Sequence, residues 1–132
     1  MVRSRLAPEI DVRIRRNVKV RIPFPGREEE IPYAYQNGRL NLIAPVTFPK
    51  PQSGLEERAA KYALEGESVY EASDSDLGQM QMLVVGQFET TAFDGIGTAR
   101  RILEDHRVRL FPREELSALI DEIRTNGHVI SA

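Results

Sequence analysis

The sequence predicts an α+β (or α/β) domain whose mixed sheet begins with an antiparallel meander and continues α-β-α-β-α. Its length of 132 residues is that of one domain. The first third shows strand alternation and turns rich in proline and glycine, whereas the rest alternates helical periodicity with short apolar runs. Such alternation indicates parallel strands joined by right-handed crossovers, with helices on one or both faces of the sheet.

The composition is that of a globular protein, because 41% of the residues are hydrophobic and 29% are charged. No apolar run reaches the roughly 18 residues of a spanning helix, and we expect no secretory signal. With no cysteine and two histidines, the chain is expected to have no disulfide, no metal site and no cofactor. We therefore expect a cytoplasmic protein without membrane contact, folded as a single domain over residues 1–132, with a loosely attached segment at 1–11.

The first predicted strand alternates apolar and charged residues with period two. Its apolar residues fall on even positions, Val12, Ile14, Val18, Val20 and Ile22, and only Arg16 breaks the pattern. The odd positions carry Arg13, Arg15, Asn17, Lys19 and Arg21. This pattern predicts a half-buried strand with one basic face.

A hairpin is predicted over residues 31–48, with a type I′ turn at Gln36-Asn37-Gly38-Arg39. Asn-Gly favours this turn because both of its central residues need positive φ. Tyr33 and Tyr35 should share one face of the hairpin. Pro32 and Pro45 should take positions without a ladder hydrogen bond, since proline has no N–H to donate.

The remaining elements alternate helix and strand. Ser53 is predicted to cap a helix over residues 55–71, and residues 80–88 form a central strand with Met82, Val84 and Phe88 buried. Helices at 96–105 and 113–125 should flank a short strand at 108–111. The predicted order is β-β-β-α-β-α-β-α.

Charge is distributed unevenly along the chain. Residues 1–27 carry a net charge of +6, and the remaining 105 residues carry −8. This asymmetry predicts either a polyanion-binding N-terminal strand or a basic strand paired with acidic groups such as Glu28, Glu29 and Glu30. The candidate ligand-binding residues are Arg13, Arg15, Lys19, Arg21, Tyr33 and Tyr35.

Carboxylates that could hold a catalytic metal are few. The candidates are Asp74, Asp76 and Glu89, and no lysine stands two residues after an acid on a strand. A metal-dependent nuclease needs two or three carboxylates around its ion, with a lysine near the attacking water. We therefore predict no catalytic residue, because acids in such a segment most often form turns and helix caps.

The run PYAYQNGRLNLIAPVTF, followed by the elements above, resembles the C-terminal half of uncharacterised bacterial and phage proteins with a restriction-endonuclease-like core. The resemblance covers about residues 17 to 127. In that family an Asp stands on a hairpin strand and an acid-x-Lys pair follows, whereas this hairpin offers Tyr33, Ala34, Tyr35 and Asn41. The resemblance implies a nuclease-derived scaffold that has been kept for binding.

Three functional hypotheses follow from the sequence. The first is a non-catalytic binding or interaction module of bacterial or phage origin, which contacts nucleic acid or an acidic protein surface through its basic strand and hairpin. The second is a metal-dependent nuclease that uses Asp74, Asp76 and Glu89 in a non-standard arrangement. The third is a subunit of a homo-oligomer or a domain of a larger assembly, with a structural role and a sheet edge that pairs with its copy.

Overall fold

The computed structural model describes residues 13–22, 27–74, 78–89 and 95–127. The strands are β1 (Arg15–Ile22), β2 (Arg27–Gln36), β3 (Leu40–Phe48), β4 (Ser73–Asp74), β5 (Gly78–Phe88) and β6 (Arg109–Pro112). The helices are α1 (Gln52–Glu71), α2 (Gly95–Glu104) and α3 (Leu116–Asn126), and a 3₁₀ turn (Arg113–Glu115) precedes α3. The predicted α+β order is confirmed, and β4 and the 3₁₀ turn are additions to it. The segment 1–11 lies outside the described residues.

The sheet is mixed, as predicted. β1, β2 and β3 form an antiparallel meander, and β5 then lies parallel to β3 over nine pairs of residues. The other edge of β5 pairs with the two-residue β4 at its start and with β6, in parallel, further on. β5 is therefore the central strand of the sheet, and β1 is an edge strand among the described ones.

Apolar clusters cover both faces of the sheet. On the first face, even-numbered residues of β3 and β5 pack against α1 and α2. On the second face, Ile43, Leu83 and Val85 pack against α3. Met82 and Val84 are buried, as predicted, but Phe88 is only half-buried and stacks on Phe48 with 4.7 Å between ring centroids.

The prediction that β1 keeps one basic face is wrong. Ile14 belongs to the cluster on the second face, whereas Val20 belongs to the cluster on the first. Between them Asn17 has a φ of 54°, a left-handed conformation that asparagine tolerates better than most residues. This residue interrupts the alternation at the point where Arg16 breaks the sequence pattern, so Arg15 and Lys19 project from opposite faces.

The hairpin between β2 and β3 is confirmed, but its turn is not type I′. Gln36 pairs with Leu40, so the loop has three residues, and only Gly38 has a positive φ, of 105°. The buried Asn41 side chain holds this loop together. Its amide nitrogen donates to Asn37 Oδ1 at 2.6 Å and to two backbone carbonyls, those of Arg39 at 3.1 Å and Tyr35 at 3.3 Å.

Helix α1 begins at Gln52, three residues earlier than predicted, with no side-chain cap, so the predicted cap by Ser53 is wrong. Gly66 lets this helix approach the sheet closely. A Cβ at this position would lie 2.1 Å from Val108 Cγ2 and 3.4 Å from Met82 Cβ. The glycine that weakens the isolated helix is therefore needed for the packing of α1 on the sheet.

Within the described ranges, no helix combines the length and the apolar character that crossing a membrane requires.

Candidate functional site

The predicted basic strand lies opposite acidic residues of β2. The register places Lys19 opposite Glu30 and Arg21 opposite Glu28, although no ion pair within 4.0 Å joins the described side chains of Lys19 and Glu30. Lys19 and Arg15 are exposed and Arg13 is half-buried. The side chain of Arg21 lies outside the described part of the structure.

Tyr33 and Tyr35 share one face of the hairpin, as predicted, because both pack against the cluster on the second face of the sheet. Tyr35 is fully buried, and its hydroxyl donates to Glu122 Oε2 at 2.6 Å. The prediction that Tyr35 faces a ligand is therefore wrong. Tyr33 is half-buried, and Arg16 Cζ lies 5.9 Å from the centroid of its ring.

The candidate metal-binding carboxylates do not come together. Asp74 pairs with Gly78 at the start of β5, whereas Glu89 directly follows the end of that strand. The strand has eleven residues, so about 35 Å of backbone separates the two positions. One metal ion cannot bind residues at both positions, and Asp76 lies outside the described residues. No group of three potential ligands occurs among the residues that are described.

Two arginines instead converge on Tyr70, near the end of α1. Arg39, in the hairpin loop, places its Cζ 3.9 Å from the centroid of the Tyr70 ring. Its Nη1 donates to the backbone oxygens of Tyr70 at 3.3 Å and Met80 at 3.1 Å. Arg107 places its Cζ 4.7 Å from the same centroid. We call Arg39 and Arg107 the arginine pair.

Arg107 has a backbone conformation that favours glycine. Helix α2 ends in a Schellman motif, in which the Val108 N–H donates to the oxygen of Leu103 at 3.0 Å and the Arg107 N–H donates to that of Glu104 at 3.2 Å. The residue between these bonds must be left-handed, and Arg107 has a φ of 63°. For a residue with a Cβ this costs roughly 1–2 kcal/mol.

The arginine pair concentrates positive charge. Because the two distances to the Tyr70 centroid are 3.9 and 4.7 Å, the Cζ atoms lie no more than 8.6 Å apart. At that separation two cations repel by about 0.5 kcal/mol in water and about 2 kcal/mol at a dielectric constant near 20. In the described parts of the chain, neither guanidinium lies within 4.0 Å of a carboxylate. An anion bound here would relieve this repulsion.

A shallow cleft of about 300 Å³ adjoins the arginine pair. We call it the Gln81 cleft; it is lined by Gln81, Glu104, Arg107, Val108 and Arg109. The Gln81 side chain has no hydrogen-bond partner among the described residues and is half-exposed. The cleft therefore offers an amide donor and acceptor beside the guanidinium groups of Arg107 and Arg109.

Arg109 is held at the cleft by a polar network. Its Nη1 and Nη2 donate to the two carboxylate oxygens of Glu122 at 2.6 and 2.8 Å, and Tyr35 donates to one of them. The hydrogen bonds from Arg109 lower the pKa of Glu122. Burial raises the pKa of Tyr35 well above its usual range, and the hydrogen bond to Glu122 raises it further. The network fixes α3 to the sheet and orients Arg109.

A larger cleft, of about 590 Å³, lies beside the start of α1 and is lined by Pro49, Gly54, Glu57, Arg58, Lys61 and Tyr62. Arg58 there donates to the backbone oxygen of Thr47 at 3.1 Å, and Lys61 lies over the Tyr62 ring. Each of the two clefts is lined by one carboxylate and two cations, but this one is lined by neither residue of the arginine pair and is therefore the weaker candidate.

The site residues predicted from the sequence do not include Arg39, Tyr70, Arg107 or Gln81. Their positions span more than 60 residues, and only the parallel pairing of β3, β5 and β6 brings them together. One feature of the sequence does point to Arg107. The segment between α2 and β6 lacks the glycine that commonly ends a helix, so another residue must take the left-handed conformation there.

Comparison with models of known families, with curated proteins and with solved structures gave no match.

Proposed function

We propose that this protein is a non-catalytic binding module that recognises an anionic partner through the arginine pair. The observation that carries the proposal is the convergence of Arg39 and Arg107 on Tyr70, with no carboxylate of the described residues within ion-pairing distance. Guanidinium groups bind phosphates and carboxylates through paired N–H donors. Stacking on a tyrosine ring holds the two groups in place before the anion arrives.

The backbone of Arg107 gives independent support. Glycine would satisfy the Schellman motif without strain, yet the chain has an arginine at this position with a φ of 63°. A side chain kept against the preference of its backbone points to a role for that side chain.

A binding role without catalysis also agrees with the hairpin. Where the resembling family has an acid on a hairpin strand, this chain offers Ala34, Tyr35 and Asn41, all of them buried. Asn41 is occupied by the turn, and Tyr35 by Glu122. These side chains stabilise the fold and are not accessible to a substrate.

The test is the salt dependence of polyanion binding. Wild-type protein should bind inorganic polyphosphate or an oligonucleotide with an affinity that falls as salt rises, by a log–log slope of about 0.7 to 0.9 per phosphate contacted. Arg107→Gln should weaken binding and reduce that slope by about 0.7 to 0.9, the value of one phosphate contact. Arg101→Gln, which removes an exposed charge from α2, is the matched control and should change neither quantity. Equal effects of the two variants would reject the arginine pair as the binding site.

The same assay tests the basic strand proposed from the sequence. The double variant Arg15→Gln/Lys19→Gln should bind the polyanion with an affinity within about twofold of the wild-type value. The two side chains project from opposite faces of the sheet, and Lys19 lies opposite Glu30. A loss as large as that of Arg107→Gln would instead place β1 in the contact surface.

A second candidate function is assembly with another copy of the chain. It is favoured by the position of β1, which pairs with β2 alone among the described strands, so that its second edge has no partner strand among them. Its exposed Arg15 and Lys19 act against such pairing. Sedimentation at several protein concentrations decides the question, since a dimer that forms through β1 should dissociate in Val18→Pro.

A further inference from the structure

We infer that the anionic partner is single-stranded nucleic acid, with one base in the Gln81 cleft and its phosphate on the arginine pair. This inference rests on the proposed function, because it assigns the organic part of the ligand whose charged part the arginine pair binds. It follows from the size of the cleft, from its hydrogen-bonding groups and from its position in the fold.

The size of the cleft indicates more than a bare ion. Its volume of about 300 Å³ is about ten times the volume occupied by one water in the liquid and lies at the lower end of the range for organic ligands. Arg107 lines this cleft and also belongs to the arginine pair. A ligand that fills both places must therefore carry an organic group directly beside an anionic one, as a nucleotide does.

The chemistry of the cleft matches a base. The Gln81 amide is half-exposed and has no side-chain partner among the described residues, and an amide can donate to and accept from the edge of a base. Guanidinium planes such as those of Arg107 and Arg109 stack on the faces of bases. Glu122 fixes the Arg109 plane through two hydrogen bonds and leaves its other N–H groups available.

The position of the cleft favours a single strand over a duplex. Gln81 lies within the sheet, on the central strand β5, and the helix end at Glu104 forms part of the rim. Duplex bases are read by a helix or ribbon that projects into a groove, whereas a base must leave its stack to reach a cleft between elements. An unpaired strand presents such bases without the cost of opening a duplex.

The experiment compares a single-stranded oligonucleotide with a duplex of the same length, inorganic polyphosphate and polyglutamate. We expect the single strand to bind about tenfold or more tightly than the duplex. Gln81→Leu should weaken binding of the single strand about five- to tenfold, the value of one neutral hydrogen bond, and leave polyphosphate binding within twofold. Gln87→Leu is the matched control, because Gln87 is an exposed glutamine at the other end of the same strand.

The outcomes separate this inference from the proposed function. Equal binding of single strand and duplex, or an unchanged affinity in Gln81→Leu, would overturn the base-binding role and leave the anion site in place if Arg107→Gln still weakens polyphosphate binding. Tighter binding of polyglutamate than of any phosphate polymer would overturn it in favour of an acidic protein. No binding of any of the four would reject the proposed function as well.

Discussion

Arg107 combines a backbone that favours glycine with a side chain that the proposed site requires. We predict that Arg107→Gly and Arg107→Ala both lose polyanion binding but differ in stability. The glycine variant should be more stable than the alanine variant by about 1 kcal/mol, because alanine keeps the left-handed strain at a φ of 63°. Urea unfolding of the two variants measures the difference. An alanine variant as stable as the glycine variant would show that the helix end is not strained.

Glu122 joins three elements through one carboxylate. Glu122→Gln should lower the free energy of unfolding at pH 7 by roughly 1 to 3 kcal/mol. The substitution removes the charged partner of Arg109 and gives the buried Tyr35 hydroxyl a neutral acceptor in place of a carboxylate. Since Arg109 lowers the pKa of Glu122 in the folded protein, the carboxylate stabilises the fold above its unfolded pKa. This stabilisation is lost as the pH falls through the folded pKa.

The difference between wild type and Glu122→Gln should therefore be constant from about pH 6 to 8 and shrink below about pH 4. Urea titrations at pH 7 and pH 3 check this. Asp121→Asn is the neighbouring control, because its pair with Arg124 is exposed and spans one turn and is worth about 0 to 1 kcal/mol. A Glu122→Gln effect that is the same at both pH values would contradict an ionised Glu122 in the network.

At the scale of elements, periodicity predicted nearly every helix and strand, since burial of one or both faces determines the pattern of apolar residues. The errors arose where a single backbone conformation decides the geometry. The φ of Asn17 moves half of β1 to the other face, and the single positive φ at Gly38 gives a three-residue turn. The sequence pattern reports which residues are apolar but does not report such local reversals.

The packing of α1 on the sheet depends on a position without a side chain. Gly66→Ala should favour the isolated helix by about 1 kcal/mol, yet it should destabilise the protein by about 1 to 3 kcal/mol, because the new Cβ would overlap Val108 Cγ2. Val108→Ala removes that methyl group. In a double-mutant cycle followed by chemical denaturation, Gly66→Ala should cost at least 1 kcal/mol less when Val108 is alanine. Additive costs would show that the close approach lies elsewhere.

At the scale of the whole molecule, the candidate site illustrates what a single sequence leaves undetermined. Charge asymmetry suggested contact with anions as a hypothesis and pointed to β1, because a sequence shows clusters along the chain and does not show clusters in space. The arginine pair and Tyr70 meet only when the hairpin loop, the end of α1 and the end of α2 lie at the same end of the sheet.

The same topology argues against the nuclease hypothesis. We predict that Mg²⁺ and Mn²⁺ neither support cleavage of DNA or RNA nor raise the melting temperature by more than about 2 °C, because Asp74 and Glu89 lie at opposite ends of β5. Wild-type protein and Glu89→Gln, purified in parallel, separate intrinsic cleavage from contamination. Metal-dependent cleavage that is absent from Glu89→Gln would restore this hypothesis.

The most direct test of the anion site measures how inorganic tripolyphosphate changes the stability of wild-type protein and Arg107→Gly. A ligand that binds only the folded state should raise the free energy of unfolding of wild type, by about 2.7 kcal/mol at one hundred times its Kd. At the same concentration Arg107→Gly should gain little or nothing, although without ligand it is folded and more stable than Arg107→Ala. Equal stabilisation of wild type and Arg107→Gly would contradict the assignment of the arginine pair as the binding site.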